Sequence, residues 1–343
     1  MWGSTQQSRT THDEEGAVPV EANGCLLLTE EKNMAKPLRH TKSGTKQVQR
    51  LLCHHIDRAL KALQGNQPLS DAAVHGARKQ LKRGRADLRL LRKALGSQTY
   101  AYENTALRDV ARPLTAVRDA RALMDTLDTL VEHSGVQARA LDLDRVRLAL
   151  RDEYCEVRQR VLDEGNTVEI LEASLRAARI RAKRWPIGRR GWAVLGAGLK
   201  CVYRNGRDAF TAAQDDPSQE RLHEWRKQVK YLWHQLQVLQ PIQLGQLTAL
   251  ADQAHTLANA LGDDHDLAIL SHKFLEEPDR FPDRATMHTL SDLIARRRAL
   301  LQEQAMTLGH RLYEEKPRIF VGRLREYWRA WHGKASKATP SGN

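Results

Sequence analysis

The chain has 343 residues, with 55 Lys or Arg against 42 Asp or Glu, and its formal net charge is +13. Hydrophobic residues make up 41%, enough for a sizeable core, whereas aromatic residues make up only 5%. A charge excess of this size indicates an anionic partner, such as nucleic acid, a membrane surface or a polyphosphate. No apolar run reaches the roughly 18 residues of a transmembrane helix, so we expect no membrane insertion.

The N-terminus and the cysteines favour a cytoplasmic protein. The N-terminus is polar and of mixed charge, whereas a secretory signal has a basic region followed by an apolar one. The four cysteines are scattered and form no CxxC pair. This pattern is typical of reduced thiols rather than of a disulfide framework or a zinc site. We therefore predict neither a metal site nor a cofactor.

Helical periodicity begins after a polar segment. Residues 1–36 show little hydrophobic periodicity, so we predict a disordered tail. Apolar residues then recur at helical spacing over 48–63, which predicts a first helix. A second, strongly basic helix follows it. We expect Ser70 or Asp71 to cap the start of this helix and Gly96 to close it.

Two more helices complete the first half of the chain. A third helix is predicted over 99–132, with Pro113 as the point where it bends or divides. A fourth runs from about 139 to 163. The stretch 176–207 then holds ten Lys or Arg and no acid, and Pro186 interrupts it. This change in composition indicates a basic connection between two halves.

Helical periodicity resumes after the connection. The predicted helices cover 191–214, 218–239, 243–275, 286–314 and 317–332. Because no stretch alternates with a period of two, we expect an all-α protein without a sheet. We divide the chain into a first helical bundle, 37–170, a second one, 171–333, and a disordered C-terminal tail, 334–343.

The basic helix of the first half recurs in the second half at an offset of 148 residues. Of the eighteen positions from Val74 to Leu91, seven carry the same residue as their counterparts from Leu222 to Leu239. The apolar residues of both copies have ordinary core spacing. The other face repeats one histidine and three cations at i, i+3, i+4 and i+7, which lie on one side of a helix: His75, Arg78, Lys79 and Lys82, then His223, Arg226, Lys227 and Lys230.

A second part of the repeat lies downstream. Arg118-Asp119 in the first half corresponds to His265-Asp266 in the second, at an offset of 147. Each half therefore has a basic helix followed by a helix with a basic–acidic pair, whose aspartate we expect to orient basic side chains of its own bundle. A single basic face is usually only solvated. The same residue types at the same four positions of two helices favour a binding role instead.

These residues resemble the CHAD domain, a helical family named for its conserved histidines. The family's signature helix is similar to Val74–Arg85 and, in the second copy, to Leu222–Lys230. Tyr231-Leu232-Trp233 departs from the basic ending that is usual there. Three further segments resemble family motifs: 117–121, 203–207 and 261–266.

The resemblance covers about residues 38–332 and implies a fold and a function. The implied fold is two antiparallel four-helix bundles related by a pseudo-twofold axis, with a basic channel between or across them. Both basic helices would face this channel, which would bind inorganic polyphosphate. Such domains are often fused to a triphosphate tunnel domain, whose ExExK strand is absent from residues 1–37. The resemblance therefore implies a stand-alone cytoplasmic protein at polyphosphate granules.

The basic side chains suit a linear phosphate polymer, because binding such a chain is mainly Coulombic and releases counterions. Arginines can hold two phosphate oxygens, lysines act as point charges, and histidines donate hydrogen bonds. We expect further arginines to extend the first surface or to reach the channel from neighbouring helices. The predicted polyphosphate-binding residues are His75, Arg78, Lys79, Lys82, Arg83, Arg85, Arg89, Arg118, Arg204, Arg207, His223, Arg226, Lys227 and Lys230.

Two other functions are open from the residues alone. The charge permits nucleic-acid binding, but aromatic residues for base stacking are sparse and no zinc-finger or RRM signature is present. His265-Asp266, with His223 and Asp263, could belong to a metal-dependent phosphohydrolase. The His-Asp pair is a weak motif, however, and further ligands lack a recognisable spacing. We therefore predict a binding protein and not an enzyme.

Overall fold

Helices account for all the regular structure in the described parts of the chain. The computed structural model describes residues 38, 43–65, 68–139, 141–164, 166–188, 191–281 and 283–337. Within these ranges there is no strand, so the prediction of an all-α protein is confirmed. The tail predicted over 1–36 lies outside the described residues.

Six α-helices form the first half, and α2 lies at its centre. α2 packs against α1 and α3, and α6 also packs against α1 and α3. α5 packs on α3. A π-helical turn, Gln159–Asp163, extends α5. The helices are α1 Gly44–Leu63, α2 Asp71–Leu90, α3 Arg92–Ser134, α4 Val136–Arg139, α5 Asp144–Arg158 and α6 Thr167–Arg184.

Five α-helices and two 3-10 turns form the second half. α8 packs between α7 and α9, α10 packs on α9, and α11 packs on α7. Because α11 reaches Lys337, its last turn includes the first residues of the tail predicted over 334–343; residues 338–343 lie outside the described part. The elements are α7 Gly191–Asp215, α8 Gln219–Leu239, Gln240–Ile242, α9 Leu244–Glu276, Pro278–Arg280, α10 Arg284–Leu312 and α11 Pro317–Lys337.

The start of the basic helix follows the sequence signals, but its end does not. Ser70 caps α2, because its hydroxyl accepts a hydrogen bond from the Ala73 amide at 3.2 Å. The helix ends at Leu90, before Gly96. Gly96 instead forms a break inside α3, with φ +76°, a left-handed conformation that glycine adopts at no steric cost. α3 continues through Pro113 with helical dihedral angles and is not divided there.

One helix crosses the predicted boundary between the halves. Residues Thr167–Arg184 form one helix, α6, so a boundary between 170 and 171 falls inside it. α6 packs on α1 and α3 and is part of the first half. Its many cations obscured an apolar stripe at helical spacing in the sequence. The buried residues of this stripe are Val168, Leu171, Leu175, Ala178 and Ala182.

The order of the long helices repeats between the halves. A shift of 148 residues carries α2 onto 219–238, which is α8 within one residue. The same shift carries α1, α3, α5 and α6 onto the ranges of α7, α9, α10 and α11. Each half thus has five long helices within the described residues, one more than a four-helix bundle. The pseudo-twofold axis stays a prediction.

The halves meet through their repeated helices, since α2 packs on α8 and α3 packs on α9. Gln235 of α8 donates a hydrogen bond from Nε2 to the Ala86 carbonyl of α2 at 3.2 Å. α7 also approaches the end of α2 closely at Gly198. A Cβ atom there would lie 2.6 Å from the backbone of Leu90. Only glycine allows this approach of the two backbones.

We expect Gly198→Ala to lower the free energy of unfolding by about 1–3 kcal/mol, because the added methyl group must push α7 away from α2. Urea denaturation measures this change. Gly322→Ala in α11 is the matched control, since its Cβ would meet nothing within 4 Å. The control should leave stability unchanged or raise it by up to about 1 kcal/mol. Equal stabilities of the two variants would contradict this account of the interface.

Candidate functional site

The basic faces of α2 and α8 converge where the two helices pack together. Lys82 of α2 lies close enough to Lys230 and Arg226 of α8 for their charges to act on its ammonium group. Arg118 of α3 acts on the same residues. We use the term central basic cluster for the five cations that act on one another here: Arg78, Lys82, Arg118, Arg226 and Lys230.

Burial and mutual repulsion weaken the charge of the two lysines. Burial, followed by the charge of Arg226, lowers the pKa of Lys230 to about 7. Burial, followed by the charge of Arg78, lowers the pKa of Lys82 well below its usual value. The charged form of Lys230 is therefore less favoured in the folded protein than in the unfolded chain.

Two aspartates from α3 and α9 offset part of this repulsion. Arg78 donates from Nη2 to Asp119 at 3.1 Å and from Nε to Thr115 Oγ1 at 3.0 Å. Arg118 approaches Asp266 of the other half at 3.4 Å. Asp119 thus pairs within its own half, as expected, whereas Asp266 reaches across the interface. The two carboxylates lie among five cations, so an excess of positive charge remains.

The arginine of the second basic helix lacks a hydrogen bond that the equivalent arginine of the first half forms. Arg226 Nε is buried and forms no hydrogen bond with any described residue. The equivalent nitrogen, Arg78 Nε, donates a hydrogen bond to Thr115 Oγ1. At the offset of 147 residues, the position of Thr115 corresponds to Gly262. A Cβ atom on Gly262 would lie 3.5 Å from Arg226 Nε. Gly262 therefore supplies no hydroxyl group to accept a hydrogen bond from this guanidinium nitrogen.

Two histidines stand beside each other at the second-half side of the cluster. The rings of His223 and His265 have centroids 4.5 Å apart, and each Nδ1 is buried without a hydrogen bond to a described residue. Burial and then Arg226 lower the pKa of His265 to about 4. They lower the pKa of His223 as well. His75 lies near Lys79 and Arg118, and its pKa is lowered first by partial desolvation of its ring and then by the charge of Lys79.

The other predicted site residues are not all part of this cluster. Lys227 is exposed and pairs with Glu224. Arg83 is only 7% exposed and acts on the buried groups His55, Asp87 and His234. It contributes to a buried polar network and does not extend the basic surface.

Arg85 and Arg89 lie farther along α2. Both donate to Asn104 Oδ1 at 3.2 Å, and the Arg89 guanidinium stacks 3.6 Å from the ring centre of Tyr231. These contacts fix the two side chains against α3 and α8.

Arg204 and Arg207 lie on α7. Arg204 is exposed, and Arg207 lines a separate cavity of about 580 Å³ together with His310 and Glu314. The structure does not join either residue to the central basic cluster.

Three residues near the cluster were missing from the predicted set. Asp263 and Arg297 line a cavity of about 200 Å³ together with Arg118 and Asp266, and burial and then Asp266 raise the pKa of Asp263. His265 occupies the repeat position of Arg118, so the sequence carried a signal for it. Arg297 has no basic counterpart at either offset, and only the tertiary structure reveals it.

Among the described residues, no group of three or more His, Cys, Asp and Glu could hold a metal ion. None of their helices combines the length and the apolar character that crossing a membrane requires.

Comparisons with known proteins agree with this architecture. The family profile described as the CHAD domain matches residues 54–275. The crystal structure of the CHAD domain from the plant Ricinus communis matches with a TM-score of 0.53 at 15% identity. The match covers 86% of this chain and 95% of the plant chain. No curated protein sequence matches.

The lowered pKa of Lys230 predicts a pH-dependent stability. Between about pH 7 and the ordinary pKa of 10.5, the unfolded chain binds more protons at Lys230 than the folded one. The free energy of unfolding should therefore rise with pH in this window. Lys230→Met should raise stability at pH 7 and flatten the rise, as urea denaturation from pH 6 to 10 would measure. A variant with the wild-type pH profile would exclude this charge burial.

Proposed function

This chain belongs to the CHAD domain family, and we propose that it binds inorganic polyphosphate at the central basic cluster. The family is associated with polyphosphate binding in general. The observation that carries the proposal is the convergence of Arg78 and Lys82 with Arg226 and Lys230 across the interface of the halves. Cations from two separate helices of the repeat meet there and repel one another. A polyanion would remove that repulsion.

The arrangement suits a chain of phosphates better than a single one. The cations come from α2, α3 and α8, so a linear polymer can contact several of them in succession. Arg226 offers a buried Nε without a described partner, and the guanidinium group can hold phosphate oxygens in a bidentate manner. Bound phosphate would also favour the charged form of Lys230. Binding should therefore take up protons near neutral pH.

Nucleic acid is the less favoured partner. Among the described Phe, Trp and Tyr residues, Tyr102 is the one that is exposed, and Trp225 of the second basic helix is fully buried. Single-stranded nucleic acid is usually held by aromatic rings that stack on bases. A polymer without bases does not need such rings, so this site favours polyphosphate.

Binding, without catalysis, is the proposed activity. CHAD domains are generally binding domains rather than catalytic ones. The pair His265-Asp266 takes part in the charge balance of the cluster, since Asp266 approaches Arg118. Purified protein incubated with polyphosphate and Mg²⁺ or Mn²⁺ should therefore release no orthophosphate.

The main test reverses the repeated charges. Replacing Arg78, Lys82, Arg226 and Lys230 with Glu should abolish polyphosphate binding and leave the helical content intact. Binding is measured by pulldown at several salt concentrations, and helicity by circular dichroism. Wild-type binding should weaken steeply with salt, because counterion release supplies much of its free energy.

A matched control separates the site from the overall charge. Lys61, Lys93, Arg151 and Lys200 are exposed, and their replacement with Glu changes the net charge by the same amount. This variant should keep most of the binding. Duplex DNA at matched salt should compete poorly. Equal losses in the two variants, or effective competition by DNA, would reject the proposed site or the proposed polymer.

We also propose that polyphosphate brings the protein to polyphosphate granules. In cells that form such granules, a fluorescent fusion of the wild-type chain should mark them, because the granule presents the polymer at high density. The variant with Glu at the four cluster positions should be dispersed. Granule labelling by that variant would show that another surface directs localisation.

A further inference from the structure

A second basic cavity lies between α1 and α6, away from the interface of the halves. Its volume is about 630 Å³, and the segment 185–188 after α6 closes one side. The chain stretch 176–207, which carries ten cations and no acid, supplies part of its wall. No residue of this stretch belongs to the central basic cluster, so the positive charge of the stretch has no role in that cluster.

Most of the charged groups that line the cavity are cations. Lys46 and Arg50 project from α1 and Lys183 from α6, and all three are exposed. None of them forms an ion pair with a described residue. Arg179 also lines the cavity, but it pairs with Asp57. The lining therefore has a net charge of plus three, counted over these five groups.

Hydrogen bonds hold the wall of this cavity in place. Gln49 donates from Nε2 to the carbonyl of Ala182 at 2.7 Å. Thr45 donates from Oγ1 to the carbonyl of Gly188 at 2.9 Å. The first bond joins α1 to the last turn of α6, and the second joins α1 to the segment that follows α6. Trp185 of that segment is only 9% exposed. The cavity is therefore a built feature of the fold rather than a gap between mobile side chains.

The spacing of the cations indicates what the cavity can bind. Lys46 and Arg50 are four residues apart, so their side chains start about 5–6 Å apart on one face of α1. Lys183 faces them from α6. The volume of about 630 Å³ exceeds that of one phosphate group, so the cavity has room for two or three linked phosphates. Charge and shape thus favour a short run of phosphates.

We propose that the cavity between α1 and α6 is a second anion site, which binds a run of two or three linked phosphate groups. Such a run occurs as a free short polyphosphate, as the end of a longer chain, and in a nucleoside triphosphate. The site does not depend on the central basic cluster, because the two share no residue.

The test is isothermal titration calorimetry of the full chain with tripolyphosphate. The variant with Lys46, Arg50 and Lys183 all replaced by Ala should lose about tenfold or more in the affinity of one class of sites. The variant with Glu at positions 78, 82, 226 and 230 should keep that class. Circular dichroism checks that both variants are folded.

A control with equal charge makes the result specific. Lys61, Arg151 and Lys200 are exposed and lie outside the cavity lining; their replacement with Ala should leave the affinity of the site unchanged. ATP in place of tripolyphosphate identifies the source of the phosphates: binding of both assigns the site to the phosphate run itself, and binding of tripolyphosphate alone assigns it to inorganic chains. Unchanged affinity in the cavity variant, or an equal loss in the control, would overturn the proposal.

Discussion

The repulsion among five cations held at one interface is the constraint around which this fold is arranged. α2 and α8 bury their apolar faces, and the packing of α2 on α8 brings Lys82 near Lys230 and Arg226. Burying like charges together is costly unless other charges compensate. Asp119 and Asp266 compensate only in part. The burial of apolar side chains in the two halves must offset the free energy that this arrangement costs.

The two halves keep their charged faces aligned although the chain between the basic helix and the basic–acidic pair differs in length by one residue. The basic helices correspond at an offset of 148, but the pairs Arg118-Asp119 and His265-Asp266 correspond at 147. In one continuous helix, a shift of a single residue would turn these side chains by about 100°. The break at Gly96 in one half and the turn Gln240–Ile242 in the other absorb the difference. Irregular backbone between the helices thus preserves the geometry of the site.

Sequence reasoning succeeded where the periodicity of one helix decides the outcome. The all-α class follows from such periodicity, and so does the position of Lys82 and of Lys230 on the same face of its helix as Arg78 or Arg226. Its charge places Arg83 among the predicted polyphosphate-binding residues. It stands five residues after Arg78, however, about 140° around the helix, and it is buried beside Asp87. Its spacing could have excluded it. The surroundings of Arg207 and Arg297 do not follow from the periodicity of one helix, because their neighbours come from distant helices. No local pattern specifies which helices meet. The apolar stripe of α6 is present in the sequence at helical spacing, but the arginines between its residues make it hard to recognise.

The unequal surroundings of the two repeated arginines affect the thermodynamics of binding. Thr115 and Asp119 fix the Arg78 side chain before any ligand arrives. Arg226 faces Gly262 instead and keeps its Nε without a described partner. In the proposed complex, Arg78 would therefore meet phosphate in a geometry that the protein already holds, whereas Arg226 would gain the hydrogen-bond partner of its Nε from the ligand.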